Sequence, residues 1–257
     1  SESDIYLPCL YFKPMGMETF PTVILVDSEG KTADGGELAK ELVSAGYGVF
    51  AVDLRGMGET RLKKNERDSR GGFQAQTLGI DATVAYDGLR LGRSVFAMRV
   101  YDLIRVADYV LSRKEMQDDG AQLAVIGKSS CGPVALYAAA LEERIKGVLV
   151  DSSLVSFREL TRPEIYYYNF VDFLPGVLSS HDMPQVAAAL APGPCWILNP
   201  LDLQKKLKGI SPAKESYSFS ESCFQALGAK GNFKVRGYST PGERTGIYLE
   251  WADRVFR

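Results

Sequence analysis

The sequence predicts an α/β fold, with a mostly parallel central sheet and helices on both of its faces. Short, almost continuous apolar runs recur along the 257 residues, such as PTVILV at 21–26. Runs of this kind are typical of strands that are buried on both faces. Helical patterns separate them, and this alternation predicts parallel strands joined by right-handed crossovers. No repeat, low-complexity tract or domain-splitting linker appears, so we expect a single domain over 1–257.

The predicted elements follow one another along the whole chain. Strands are predicted at 6–12, 21–26, 48–52, 122–126, 145–150, 195–199 and 233–238. Helices are predicted at 36–45, 94–112, 133–141, 183–191, 218–227 and 247–256. The amphipathic pattern is clearest in 94–112. The largely polar stretch from Glu59 to about Gly88, with scattered glycines, predicts a long loop or a broken helix.

Composition argues against several classes of function. Hydrophobic content is 46% and charged content 24%, as in soluble globular proteins with a substantial core. The formal net charge of −2 gives no electrostatic reason to expect nucleic acid or a membrane as a partner. No apolar run approaches the roughly 20 residues that span a bilayer. The four cysteines lack metal-ligand spacing, so we expect free, mostly buried thiols, no metal and no cofactor.

The segment 125–133, VIGKSSCGP, contains the main candidate for chemistry, Ser129. A nucleophile elbow places a serine on a tight turn between a strand and a helix, where crowding requires small residues two positions before and after it. Gly127 and Cys131 meet this requirement around Ser129. An elbow centred on Cys131 would instead place Pro133 at a small position, so the sequence favours Ser129. An ordinary strand-to-helix turn is the alternative.

Two competing motifs fail when their spacing is counted. Gly127-Lys128-Ser129 imitates the end of a phosphate-binding loop, but Gln122 stands where that loop needs its first glycine. The segment RGMG at 55–58 begins like a dinucleotide-binding motif, yet Arg61 stands at the position of the third glycine. Neither segment predicts a nucleotide site.

Four longer segments occur in this order along the chain: PTVILVDSEGK, GYGVFAVDLRGMGET, AVIGKSSCGPVALYAAAL and DMPQVAAALAPGPCWILNPLD. In them the chain resembles the α/β-hydrolase superfamily, and most closely its bacterial acetyl-xylan-esterase-like and prolyl-oligopeptidase-like hydrolases. The resemblance implies Ser129 as the nucleophile. It implies an oxyanion hole made by the backbone N–H of Ser130 and one N–H from the turn Ser28-Glu29. It also implies Asp202 as the acid of a catalytic triad.

Asp151, which follows the predicted strand 145–150, is the alternative acid, although a turn-forming aspartate is the simpler interpretation. The resemblance implies a histidine in the loop 239–245, which contains none. His181 is the one histidine in the sequence and therefore the one candidate for the catalytic imidazole base of Ser129. It precedes a predicted helix near the carboxyl edge of the sheet. We expect it near that edge but too far from Ser129 for a direct hydrogen bond. Its alternative role is to pack against or cap the helix start.

The aromatic-rich stretch 157–178 leaves the same edge and predicts a lid. Tyr166 and Tyr167 could stack on a sugar ring or an aryl group. Alternatively they pack the lid, or cover a face for a neighbouring domain. Lys128, next to the candidate nucleophile, is expected to line the pocket or to pair with a carboxylate.

Together these inferences predict a serine-type hydrolase of carboxylic esters, acting on a small-molecule or carbohydrate ester. The ester and sugar parts come from the resemblance. The alternative is a catalytically impaired binding or structural domain that lacks the family histidine, and an exopeptidase-like enzyme is a third candidate. We expect a further strand or domain upstream of this chain. The sequence has no signal-peptide pattern; it predicts a soluble protein and leaves export from a bacterium as one alternative.

Overall fold

A computed structural model of the protein describes residues 2, 4–33, 36–61, 79–116 and 122–257. Within them lies a seven-stranded sheet with the strand order β1-β3-β2-β4-β5-β6-β7. The strands are β1 (Cys9–Phe12), β2 (Thr22–Asp27), β3 (Gly48–Val52), β4 (Leu123–Lys128), β5 (Ile145–Asp151), β6 (Cys195–Leu198) and β7 (Phe233–Arg236). β1 is antiparallel to β3, and the other pairings are parallel. The predicted α/β class is confirmed.

The helices connect these strands. They are α1 (Glu37–Ser44), α2 (Ile80–Arg90), α3 (Val95–Leu111), α4 (Cys131–Leu141), α5 (Met183–Ala189), α6 (Ile210–Ser216), α7 (Ser218–Ala226) and α8 (Pro241–Phe256). In the part of the chain that the structure describes, no helix is both long and apolar enough to cross a membrane.

α2 begins within the stretch that was predicted to be a long loop or a broken helix, while residues 62–78 of that stretch lie outside the described residues. One helix prediction needs correction. α8 begins at Pro241 rather than at 247. Its start is fixed by Thr240, whose side chain accepts a hydrogen bond from the Glu243 N–H, and Glu243 completes a capping box. Proline is favoured at a first helical position because its missing N–H has no partner there anyway.

The sheet has a hydrophobic core on each face, since side chains alternate along a strand. Val23 and Leu25 point into a core shared with α1 and α8, where Trp251 is fully buried. Ile24 and Val26 point into the opposite core, shared with α3 and α4. This burial on both faces explains why β2 is continuously apolar in sequence.

Strand register brings three charged residues together at the carboxyl edge. Asp27 of β2 is paired with Lys128 of β4, and Lys128 is paired with Asp151 of β5. Because paired residues of neighbouring strands point to the same face, these side chains lie side by side where the strands end. Ser129 comes one residue later, so the edge forms the floor of any site around it.

Candidate active site

Ser129 lies on the turn between β4 and α4 with a φ of 53°. This is the left-handed region, which costs energy for any residue with a Cβ. Three hydrogen bonds hold it there. The Ser129 N–H donates to the Asp151 carbonyl (2.9 Å), and the Ser129 carbonyl accepts from the Gly132 N–H (3.1 Å) and the Ser153 hydroxyl (2.5 Å). The backbone therefore has the strained geometry of an elbow.

Small residues are required around this turn because α4 passes very close to the sheet. A Cβ on Gly127 would lie 2.5 Å from the Cβ of Ala135 and 2.6 Å from the Cys131 carbonyl oxygen. A Cβ on Gly132 would lie 2.0 Å from the Ser153 hydroxyl. These distances give a steric reason for the small residues from which the sequence predicted the elbow.

Ser130, the residue after Ser129, is hydrogen-bonded to the aromatic-rich stretch 157–178. Its hydroxyl donates to Asp172 Oδ2 (3.0 Å), and Arg99 Nη1 donates to Asp172 Oδ1 (3.0 Å). Burial raises the pKa of Asp172, against the opposing effects of the Arg99 charge and the Ser130 hydrogen bond. Sequence reasoning missed both partners. A signal was present, since Arg99 falls on the buried side of the amphipathic helix α3.

The turn after β2, which the resemblance implies in the oxyanion hole, is held by Asp27. Asp27 Oδ1 accepts the Glu29 N–H (3.0 Å), and Asp27 Oδ2 pairs with Lys128 Nζ (2.6 Å). Lys128 thus pairs with a carboxylate, one of its two predicted roles. The Glu29 N–H is engaged within the turn. Ser28, the preceding residue, is buried. The oxyanion hole formed by the Ser130 N–H and an N–H of the Ser28-Glu29 turn stays a prediction.

Asp53 joins this turn to the segment after β3. One carboxylate oxygen accepts the Lys31 N–H (2.6 Å), and the other accepts Lys31 Nζ (2.9 Å) and the Glu59 N–H (3.0 Å). A Cβ on Gly58 would lie 2.3 Å from Asp53 Cγ. This gives a steric reason for Gly58 in the segment RGMG, whose spacing does not match a dinucleotide-binding motif.

Asp151 is fully buried at the end of β5. Its carboxylate accepts hydrogen bonds from the hydroxyls of Tyr238 (3.1 and 2.9 Å), Tyr248 (2.5 Å) and Ser152 (3.0 Å). Burial raises the pKa of Asp151, although these hydrogen bonds lower it. Burial also raises the pKa of Tyr238 to about 12, and the Asp151 charge adds to this rise. Neither tyrosine was singled out from the sequence.

His181 and Asp202 make other contacts. His181 Nδ1 lies 2.9 Å from the Ser180 hydroxyl, and its ring centroid lies 5.7 Å from that of Tyr137 on α4. The contacts of the described residues include no hydrogen bond between His181 and Ser129. Asp202 Oδ1 accepts the N–H groups of Gln204 (2.8 Å) and Lys206 (2.9 Å), and so closes a local turn. The triad of Ser129, His181 and Asp202 stays a prediction.

The two tyrosines predicted to bind substrate differ in their surroundings. The Tyr166 ring packs edge-on against Phe173, with centroids 5.6 Å apart. The Tyr167 side chain is largely exposed. The backbone N–H of Tyr167 donates to the Leu203 carbonyl (3.0 Å). Within the described ranges, no group of three or more histidine, cysteine, aspartate or glutamate side chains could hold a metal ion.

Comparison with known proteins shows the family to which the chain is similar. Residues 6–168 match the acetyl xylan esterase (AXE1) family. A protein of Bacillus subtilis (strain 168) described as "Putative hydrolase YtaP" is 28% identical over 209 residues, which cover 73% of this chain and 62% of the relative.

Solved structures share the fold. A crystal structure from Bacteroides fragilis NCTC 9343, described as a putative acetyl xylan esterase, has a TM-score of 0.68 and 18% identity, covering 90% of this chain and 62% of that one. The acetyl xylan esterase from Paenibacillus sp. R4 has a TM-score of 0.60 and 22% identity, covering 96% and 79%. The chain thus spans about three fifths of the length of the Bacillus and Bacteroides proteins.

Proposed function

Since the chain belongs to the acetyl xylan esterase (AXE1) family, we propose that it hydrolyses carboxylic esters and that Ser129 is its nucleophile. The observation that carries the proposal is the left-handed φ of 53° at Ser129, on a turn whose crowding excludes larger residues at Gly127 and Gly132. Strain of this kind persists only where the surrounding structure enforces it, and it is concentrated at functional sites.

In this mechanism, Ser129 Oγ attacks the carbonyl carbon of the ester, and the carbonyl oxygen becomes an oxyanion. The Ser130 N–H at the start of α4 and an N–H of the Ser28-Glu29 turn donate to that oxygen, and the positive end of the helix dipole adds to the stabilisation. The alcohol leaves with a proton, which gives an acyl-serine. Water then attacks the acyl carbon and releases the carboxylic acid and the free serine.

The serine proton needs an acceptor, and His181 with Asp202 or Asp151 is the proposed pair. To act, the His181 ring has to leave its contacts with Ser180 and Tyr137 and approach Ser129 to about 2.6–3.2 Å. The carboxylate of Asp151 has to exchange a tyrosine hydroxyl for an imidazole N–H. The substrate is proposed to be an acylated carbohydrate, in line with the family name and with the Paenibacillus esterase.

A second candidate function is a binding domain without ester hydrolysis. It is favoured by the contact between Tyr238 and Asp151. The Tyr238 hydroxyl, just before the loop 239–245 where the resemblance implies a histidine, already donates to the Asp151 carboxylate. Such a domain would retain the strained elbow while lacking a base for the serine.

Hydrolysis of p-nitrophenyl acetate separates the two functions. We expect wild-type turnover above that of Ser129→Ala, which should equal the buffer rate. Ser222→Ala, at an exposed serine on α7, should match wild type. His181→Gln should reduce kcat by at least about a hundredfold if His181 is the base. Wild-type turnover equal to that of Ser129→Ala would refute the hydrolase and support the binding domain.

A further inference from the structure

A cavity of about 580 Å³ lies between the aromatic-rich stretch 157–178, the start of α5 and the helices α6 and α7. Its volume is in the range of pockets that hold small organic ligands. None of the described residues that line it belongs to the elbow turn 127–132. The cavity is therefore a second place on the molecule where a ligand can bind, separate from Ser129.

The wall of this cavity carries charges of both signs. Its three cationic and three acidic side chains are Arg158, Arg162, Lys208, Glu159, Asp182 and Glu215. An anion would meet the carboxylates and a cation would meet the guanidinium groups, so neither sign of charge offsets the cost of desolvating an ionic ligand. An apolar ligand would cover polar groups without bonding to them. A neutral ligand rich in hydroxyl groups fits both kinds of wall group, because each hydroxyl donates and accepts.

Glu159 is a fixed acceptor in the wall. Its side chain is buried, and Oε1 accepts from Arg162 Nη2 (3.0 Å) and Lys208 Nζ (2.5 Å). Among the described residues, none donates to the other oxygen, Oε2. Since two cations already hold this carboxylate in place, Oε2 can accept a ligand hydroxyl without the entropy cost of ordering a free side chain.

Arg158 and Gln185 supply donors. The Arg158 N–H donates to Asp182 Oδ2 (3.2 Å), and in the part of the chain that the structure describes its guanidinium has no ion-pair or hydrogen-bond partner. Gln185 Oε1 accepts the Asp182 N–H (3.0 Å), which orients the amide and leaves its NH₂ group to donate. Donors and a fixed acceptor thus line the same cavity.

Phe219 adds an apolar surface to this polar cavity. It lies in the first turn of α7, lines the cavity and is 53% exposed. A sugar ring presents C–H groups on its faces and hydroxyl groups around its edge. The C–H groups can pack on the negative face of an aromatic ring, while the hydroxyl groups need donors and acceptors beside it. The exposed ring and the surrounding polar groups meet both needs.

We propose that this cavity is a carbohydrate-binding site for unacylated sugar residues of a neutral polysaccharide. A sugar ring stacks on Phe219, and its hydroxyl groups bond to Arg158, Gln185 and Glu159. The proposal rests on the carbohydrate substrate proposed above, and it does not need Ser129 to be a nucleophile. In a hydrolase the site holds the polymer on the protein, and in a domain without hydrolysis it is the binding site itself.

Titration calorimetry with xylohexaose and cellohexaose tests the site on the full chain. Neither probe contains an ester, so no turnover is needed. We expect measurable binding of at least one probe, weakened by at least about tenfold in Phe219→Ala. Arg158→Ala should weaken it by at least about fivefold. Phe219→Tyr keeps a stacking ring and should bind within about threefold of wild type.

Two matched controls lie outside the cavity. Tyr101→Ala removes a partly exposed ring on α3, and Arg90→Ala removes an exposed guanidinium on α2. Both should bind the probes within about twofold of wild type. Absence of binding by both probes, or binding that Phe219→Ala and Tyr101→Ala weaken equally, would refute the site. Thermal unfolding identifies any variant that fails to fold, and Arg158→Ala then provides the comparison with Arg90→Ala.

An acidic oligosaccharide tests the inferred neutrality of the ligand. Hexagalacturonate carries a carboxylate on each sugar residue, and it should bind at least about tenfold more weakly than the better neutral probe, because the wall has carboxylates of its own. Equal or tighter binding of hexagalacturonate would overturn the proposal and identify an anion site.

Hydrolysis of p-nitrophenyl acetate separates this proposal from the proposed catalysis. The small ester does not need the cavity, so Phe219→Ala should keep kcat/KM within about twofold of wild type. If wild type hydrolyses the ester no faster than Ser129→Ala but binds a neutral probe through Phe219, the hydrolase is refuted and the carbohydrate site stands. If the ester is hydrolysed and Phe219→Ala leaves probe binding unchanged, the carbohydrate site is refuted and the hydrolase stands.

Discussion

The hydroxyl of Tyr238 lies within hydrogen-bond distance of both carboxylate oxygens of Asp151, at 3.1 and 2.9 Å. Tyr238 follows β7 and Asp151 ends β5, so the contact spans β6 between them. Burial and the Asp151 charge raise the pKa of Tyr238 to about 12. The hydroxyl is therefore protonated at neutral pH. It acts as a hydrogen-bond donor to Asp151 and not as a base.

Removing this hydroxyl should destabilise the fold. In Tyr238→Phe, Asp151 keeps Tyr248 and Ser152 as donors but loses one charge-assisted hydrogen bond. We expect the free energy of unfolding to fall by about 1.5–3 kcal/mol at neutral pH. Urea titration measures it, with Tyr101→Phe at a partly exposed tyrosine as a control expected to change little. Equal losses in the two variants would contradict the prediction.

The charge on Asp151 should make stability depend on pH. Burial raises the folded-state pKa of this carboxyl above its ordinary value. The folded protein then binds the proton more tightly than the unfolded chain does. This tighter proton binding stabilises the folded protein fully at a pH below the ordinary aspartate pKa of about 3.9. The stabilisation is lost as the pH rises through the folded-state pKa of Asp151.

Asp151→Asn removes this titration and keeps a side chain of the same shape. We expect the stability of the variant relative to wild type to improve as the pH rises from about 4 to 7. Urea titrations across that range measure the difference, and Asp87→Asn at an exposed position is the control. If the stability of Asp151→Asn and that of wild type changed with pH in parallel, the raised pKa of Asp151 would be refuted.

The fold could be predicted because its determinants are local in sequence. Strands buried on both faces must be apolar throughout, as β2 is, and a strained turn beside a closely packed helix must be flanked by residues as small as Gly127. The start of α8 could also have been found, since Thr240, Pro241 and Glu243 form a recognisable capping signal.

The surroundings of the elbow could not be predicted in the same way. Asp151 and Tyr238 are 87 positions apart, and their contact depends on the order of β5, β6 and β7 in space. Asp172 lies in a segment of short 3₁₀ turns without clear periodicity, so nothing in its sequence indicates that it meets Ser130. The resemblance implied a role for Asp202, and His181 was a candidate because it is the one histidine in the sequence. Neither argument carried information on how these side chains pack.

Backbone strain at Ser129 predicts an unusual order of stability among its variants. Ser129→Ala and Ser129→Gly both remove the hydroxyl, and only glycine removes the Cβ that makes a φ of 53° unfavourable. We expect Ser129→Gly to be more stable than Ser129→Ala by about 1 kcal/mol. At Ser112, φ is −79°, so Ser112→Ala should be more stable than Ser112→Gly. Thermal or urea unfolding of the four variants tests this, and the same order at both positions would argue against strain.

The close approach of α4 to the sheet predicts that Gly132 cannot accept even a methyl group. A Cβ there would lie 2.0 Å from Ser153 Oγ and 2.7 Å from Val150 Cγ1, so either the helix or β5 must move. Overpacking of this kind typically costs about 1–3 kcal/mol. Movement would also lengthen the hydrogen bond from the Gly132 N–H to the Ser129 carbonyl. We therefore expect Gly132→Ala to lower both the free energy of unfolding and any turnover that depends on Ser129.

Gly246 is the matched control for Gly132. It lies within α8, and a Cβ there would meet nothing within 4 Å. Because alanine has the higher helix propensity, Gly246→Ala should stabilise the protein by about 0.5–1 kcal/mol. Urea titration of both variants gives the comparison, and opposite signs are expected for the same chemical change. If Gly132→Ala were as stable as wild type, α4 would have room beside the sheet, and the steric reason for small residues at the elbow would be wrong.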